Sequence, residues 1–383
     1  MARAGGARVS VAVELLASLI RVPSVNPSIA PDEAGDERAI AAFACEWLAS
    51  HGVRAWQEEA APGRSNAVAE VRGGEGPTLV LCGHIDTVGT PGMPAPFEPR
   101  IETGRMYGRG AYDMKGGVAA CMATAAALAG EQFGGTLMLA LVADEEHASL
   151  GSQAYVARHR ADACILTEPS EGDLMFAHKG FVWLDVVVRG RAAHGSRWDL
   201  GDSANARMGH VLAALDRFDA EVLRGRRDPV LGPASMHPAL LKGGVGLSTY
   251  APECCLQIER RTLPGETPDQ VRDELAAVVH ASAPDAEVAI TLVRPAMHCD
   301  ESQPIRRMVR DAITQVTGTA PREIGVGFWT DAALFAAAGI PTVDYGPTGA
   351  GAHEPEEWVE IASVERTAQV LLQAARDFFA RRR

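Results

Sequence analysis

The sequence predicts an α/β fold whose sheet carries a polar site along one edge, and three observations predict it. Apolar runs at 78–83, 135–142 and 163–166 have the length and flanking turns of buried parallel strands. Each run stops at acidic or histidine residues: His84 and Asp86 after the first, Asp144-Glu145-Glu146 after the second, Thr167-Glu168-Pro169 after the third. A parallel sheet gathers its strand ends along one edge, so these groups are expected together there.

The first elements follow from period and punctuation. Residues 10–20 read as a helix rather than a secretory leader, because Glu14 interrupts the apolar stretch and no small-residue cleavage site follows. A second helix is expected at 37–51, then strands at 66–71 and 78–82 joined by the turn Gly73-Gly74-Glu75-Gly76-Pro77. An Ala-rich helix over 114–128 begins directly after Asp113, which places that carboxylate at a helix N-terminus where the dipole favours its charge.

From Gly180 the pattern changes. A strand at 181–189, a helix at 203–218, strands at 240–250 and 254–261, a helix at 267–281 capped by Thr267, and a strand at 286–293 follow in turn. The order β-α-β-β-α-β is that of a ferredoxin-like unit, so an inserted domain at 180–295 is expected between catalytic segments 1–179 and 296–383. The last segment reads as helices at 304–316 and 331–338, a short strand at 341–344, a glycine-rich loop at 346–353 and a helix at 363–380. Arg381, Arg382 and Arg383 suit the negative end of that helix.

Composition narrows the function classes. With 383 residues, 47% hydrophobic and 22% charged, the chain has material for two domains and a sizeable core. A net charge of -13 argues against a nucleic-acid partner and is compatible with a cation site. The seven cysteines are odd in number and scattered, which is no disulfide framework, and a reducing, cytoplasmic location is expected. No run approaches the roughly 18 apolar residues of a membrane span. P-loop, H-E-x-x-H and G-x-S-x-G patterns are absent from the sequence, and the glycines at 104–110 and 349–351 read as turns.

What remains is the polar set His84, Asp113, Glu145, Glu146 and Glu168, with His353 in the late glycine-rich loop. Imidazole and carboxylate together suit zinc and other divalent ions. Two histidines and three carboxylates hold two metals if one carboxylate bridges, leaving a glutamate to act as general base in hydrolysis. His84 and Asp86 are two apart on a strand and point the same way, so Asp86 is placed to hold the free ring nitrogen of His84. Taken singly, each acid has a plainer reading: a solvated loop at 144–146, helix caps at Asp113 and Glu168.

The chain resembles the family of aminoacylases, acetylornithine deacetylase, succinyl-diaminopimelate desuccinylase and bacterial glutamate carboxypeptidase. The matching stretches are Gly83-His84-Ile85-Asp86-Thr87-Val88, residues 108–117 around Asp113-Met114-Lys115-Gly116-Gly117, Asp144-Glu145-Glu146, Thr167-Glu168-Pro169, Ala193-His194-Gly195-Ser196, residues 260–265 and Ala352-His353-Glu354. The resemblance implies a zinc-exopeptidase-like catalytic domain with a mixed sheet, and a lid that also dimerises. It implies two divalent ions, zinc or cobalt, with Asp113 bridging, His84 and Glu168 on one ion, and Glu146 and His353 on the other. Glu145 is then the general acid/base, Asp86 orients His84, a cis peptide follows Asp113, and Arg261 binds the substrate carboxylate. His194 is implied to reach the active site of a homodimeric partner. Ser248 stands where many members carry Asn as a substrate contact. The implied substrate is a small N-acyl amino acid, acetylornithine type first, with a succinyl-diaminopimelate type or a dipeptide as alternatives. A metal-free binding protein that has kept the fold and lost catalysis is the alternative of another class.

Overall fold

A computed structural model describes residues 6–33 and 35–380. The closing arginines at 381–383 lie outside the described residues. The chain forms two compact units, the first made of Met1–Phe176, Cys299–Ile324 and Thr330–Arg383, the second of Ala177–His298 with Gly325–Trp329.

The first unit is built on a mixed sheet. Six of its strands run in the order Arg54–Ala61, Arg64–Arg72, Thr136–Val142, Thr78–His84, Ala163–Leu166 and Thr342–Asp344, after which the sheet continues through Leu174–His178. The last four of these six are mutually parallel, and the first two add antiparallel at one side. Leu79, Val80, Leu81 and Cys82 are all fully buried, as are Leu137, Ala140, Leu141 and Val142, which is why these runs show no alternation. The register pairs His84 with Val142, and Leu166 with both Cys82 and Asp344, so the strand ends are level. Helix Gly116–Leu128 packs on strands Thr78–His84 and Thr136–Val142, and against helices Gly6–Ile20 and Ile361–Ala380.

One expectation for this unit is corrected. Asp113 is not at a helix N-terminus: residues Ala111–Lys115 form a wide turn, the Asp113–Met114 peptide is cis, and the helix starts at Gly116. The backbone N–H groups of Gly110, Tyr112 and Asp113 are instead taken by the Glu357 carboxylate. Gly117 is required where this helix meets the sheet, since a Cβ there would lie 2.3 Å from the Thr167 carbonyl oxygen. The strand Arg54–Ala61, the helix Leu150–Arg158 and the strand Leu174–His178 were not expected, the first because an outer strand of sequence Arg-Ala-Trp-Gln-Glu-Glu-Ala-Ala has no apolar run.

The second unit is a four-stranded antiparallel sheet in the order Ser235–Gly243, Glu253–Thr262, Gly180–Arg189, Glu287–Arg294. Helices Ala204–Glu221 and Pro268–Ser282 pack on each other and on this sheet. Val182, Leu184, Val186 and Val188 are buried and the residues between them less so, as a sheet covered on one face requires. Thr267 caps the second helix, and a capping box with Gln270 completes its N-terminus. The strand expected at 240–250 runs instead from Ser235 to Gly243, because Gly244 turns the chain at φ +86. Ser248 therefore lies in a turn and not on a strand.

Candidate metal centre

Level strand ends bring the polar residues of the first unit together. His84 closes its strand with Nε2 3.1 Å from Asp113 Oδ1 and 3.8 Å from Glu168 Oε1. The other oxygen of Asp113 faces a second imidazole, with His353 Nε2 3.4 Å from Oδ2 and 3.0 Å from Glu146 Oε2. One carboxylate thus stands between two histidines. Ligand atoms of His84, Glu145 and Glu168, and separately of His84, Asp113 and Glu146, lie within 4.8 Å of one another.

The backbone explains how short loops reach this geometry. Asp144 adopts φ 69 and His353 φ 63, left-handed conformations that Asp and His tolerate better than most residues. Asp144 is locked by Arg64 Nη2 at 2.6 Å and Asn26 Nδ2 at 3.0 Å. Asp86 does more than the sequence suggests. The His84 Nδ1 atom lies 2.9 Å from the Asp86 backbone oxygen and 3.6 Å from its carboxylate, so the main chain is the nearer partner. The carboxylate accepts the backbone N–H groups of Glu145 at 3.1 Å and Glu146 at 3.2 Å, and Asn26 Nδ2 at 2.8 Å. Asp86 therefore aims the acidic loop as well as the imidazole.

Glu357 sets the far wall. Besides the three amides of the Asp113 turn, it pairs with Arg109 at 2.8 Å, and both side chains are buried. No sequence signal marked Glu357 or Asn26, whose partners at the site are distant in the chain.

The electrostatics are those of a crowded acid cluster. Burial and then the charge of Glu168 push the Glu145 carboxyl well above its ordinary range, and burial does the same for Glu168 and, more mildly, Glu146. Burial also opposes ionisation of Asp113, but hydrogen bonds from His353 and His84 hold its carboxyl well below normal. His353 is raised to about 10 by Asp113 and Glu146. For His84 burial opposes the charge, yet Glu168, Asp113 and Asp86 outweigh it. The raised carboxyls of Glu145 and Glu168 and the raised imidazoles favour protons at this set. Divalent cations would replace those protons, and the donors fit: two imidazoles, carboxylates on either side, and a buried Glu146 Oε1 without a hydrogen-bond partner among the described residues.

The remaining expected residues belong to the second unit. His194 is bridged through its backbone to Thr249, its Nδ1 is 2.8 Å from Ser196 Oγ, and Gly195 N donates to the Ser248 carbonyl at 2.7 Å, so His194 and Ser248 are neighbours. Arg261 pairs with Glu259 at 2.7 Å and lies 5.0 Å from the Phe181 ring centre.

Comparison with known proteins agrees with this chemistry. The chain is 30% identical over 340 residues to an acetylornithine deacetylase of Myxococcus xanthus, covering 84% of this chain and 86% of that one. It is 29% identical over 383 residues to a succinyl-diaminopimelate desuccinylase of Xanthomonas campestris, covering 92% and 95%. A tripeptidase from Staphylococcus aureus shares the fold with a TM-score of 0.80 at 19% identity, over 97% of this chain and 99% of that one. A dinuclear metal binding peptidase of the M20 family from Bacillus subtilis does so at 0.76 and 15%, over 97% and 99%. The model of peptidase family M20/M25/M40 matches residues 80–377, a span that runs from the strand delivering His84 to the final helix, and the chain belongs to that family of metal-dependent hydrolases.

Proposed function

We propose that the protein hydrolyses the amide bond of N-acyl amino acids or kindred small carboxylate-bearing substrates. The observation that supports this most is Asp113, one carboxylate between two histidines, with Glu145 grouped with His84 and Glu168 on one side. His84, Asp113 and Glu168 would hold one divalent ion, zinc or cobalt, and Asp113, Glu146 and His353 the other. When bound, these ions supply charge that polarises the amide carbonyl and acidifies water. Glu145 takes the proton of the attacking water and passes it to the leaving amine, a task suited to a carboxyl that burial and the charge of Glu168 hold well above its ordinary range. Arg261 holds the substrate carboxylate through its planar fork, and Ser248 lines the same acyl-binding surface.

The protein acts as a homodimer in this reading. In the second unit, the outer strand Ser235–Gly243 exposes Leu240 (65%) and Leu241 (56%), the kind of open edge that a second copy covers. His194 would then donate to the developing oxyanion of the partner's site. The test is amine release from N-acetyl-L-ornithine, N-succinyl amino acids and dipeptides, each compared with its carboxyl-amidated analogue. Hydrolysis of a free-carboxylate N-acyl amino acid, with KM raised about tenfold or more on amidation, is expected. Equal handling of both forms contradicts the role of Arg261, and inertness toward every compound contradicts the substrate class.

A further inference from the structure

Cations from separate stretches of the second unit converge at one end of its sheet. Arg261 pairs in register with Phe181 on one neighbouring strand and Ser235 on the other. Lys179, two residues before Phe181, donates from Nζ to the Pro233 carbonyl at 2.6 Å. Pro233 is in turn the register partner of Arg227 in the hairpin Arg227–Asp228 and Gly232–Pro233. Arg224 and Arg226 immediately precede the same hairpin.

Most of these charges are matched. Arg224 pairs with Asp219 at 2.9 Å, Arg226 with Glu274 at 2.7 Å, Arg261 with Glu259 at 2.7 Å, and Arg260 with Glu266. Lys179 and Arg227 have no acidic partner among the described residues. The ammonium of Lys179 is held below its ordinary range by burial, then by the charges of Arg224, Arg261, Arg260 and Arg227. Like charges at this range repel, and an anion seated among them relieves the cost. In a chain of net charge -13, such a local excess of positive charge draws anions to one place.

We propose that Lys179 and Arg227 form a second carboxylate subsite beside Arg261, so that the preferred substrates are N-acyl amino acids carrying two carboxylates. This rests on the reading of Arg261 as a substrate-carboxylate residue. The second carboxylate belongs either to the amino-acid side chain or to a dicarboxylic acyl group, and a substrate with a cationic side chain is disfavoured at this subsite.

Two matched pairs separate the sources: N-acetyl-L-glutamate against N-acetyl-L-glutamine, and N-succinyl-L-alanine against N-butyryl-L-alanine. On the metal-loaded enzyme, at least one dianion is expected to exceed its neutral-tailed partner about tenfold in kcat/KM, through KM. The pair that shows it names the source. Arg227→Gln, at an exposed position, and Lys179→Met remove that preference while leaving the neutral-tailed substrate unchanged. No preference for either dianion in wild type, or equal losses on both members of a pair in Arg227→Gln, overturns the subsite. If all four compounds resist hydrolysis, the deacylase reading fails and calorimetry decides the subsite alone. Tighter binding of glutarate than of glutaramate, lost in Arg227→Gln, supports it, and equal binding overturns it.

Discussion

Glu145, half-buried beside His84 and Glu168, and Glu357, buried against the Asp113 turn, are acids that do opposite work. Glu145 is held among like charges and is suited to exchanging a proton. Glu145→Gln is expected to lower turnover by more than the roughly 10²–10⁴-fold usual for a general acid–base group, since the other carboxylates and imidazoles of the cluster are committed to the ions in this reading, while both metal ions are retained. A variant that keeps a tenth of the wild-type rate rules out the role, and one that loses an ion makes Glu145 a ligand. Glu357 is fixed, with its oxygens spent on three amides and Arg109. Glu357→Gln leaves Arg109 a buried cation without a counter-charge, which costs about 3–5 kcal/mol. Metal affinity is expected to fall about 10–100-fold as the Asp113 turn loosens. Thermal unfolding and metal titration check this together; a stability loss with unchanged metal affinity contradicts the positioning role. The two residues also mark what a sequence discloses. His84, Glu145, Glu146 and Glu168 were legible because each follows an apolar strand within a few positions. Glu357 was not, because Arg109 lies 248 positions away and nothing local distinguishes a buried glutamate from a solvated one.

At the scale of elements, the short parallel strand Thr342–Asp344 carries an acid whose ionisation the fold opposes. The buried Asp344 carboxyl has no cationic partner among the described residues, and burial lifts its pKa from the ordinary 3.8 to about 8, with the Thr330 hydroxyl opposing the rise and the charge of Asp331 adding to it. The folded protein thus keeps a proton that the unfolded chain releases. Its contribution is fully present below the unfolded pKa and is lost as pH rises through about 8. Asp344→Asn removes that dependence, worth about 1.4 kcal/mol for each pH unit inside the window. The variant is expected to match wild type near pH 4 and to unfold at a higher temperature by pH 8 to 9; parallel curves contradict the assignment. The strand itself was legible from its apolar run, as were the strands that deliver His84, Glu145 and Glu168. Turns were less so. The wide Ala111–Lys115 turn looked like the start of a helix because its residues favour one, and only the distant carboxylate of Glu357 draws their amides away.

Over the whole molecule, the expected β-α-β-β-α-β order recurs among the strands of the four-stranded sheet and its two helices, whereas assembly is a property of surfaces that one chain's pattern does not record. If His194 serves the partner's site, His194→Ala and Glu145→Gln are each inactive as homodimers, and subunit exchange restores activity in one of the two sites of the mixed dimer. A monomeric mass for active enzyme, or mixed dimers that stay inactive, removes the shared site.

The central claim is that this acid and imidazole cluster is a two-ion hydrolytic centre. Its most direct test is elemental analysis of the purified protein coupled to amide hydrolysis before chelation, after chelation, and after return of zinc or cobalt. The expected result is two divalent ions per chain, hydrolysis abolished when they are removed, and recovery that tracks their return, with Asp113→Asn losing both ions. Undiminished hydrolysis by metal-free protein, or full metal content in Asp113→Asn, would contradict it.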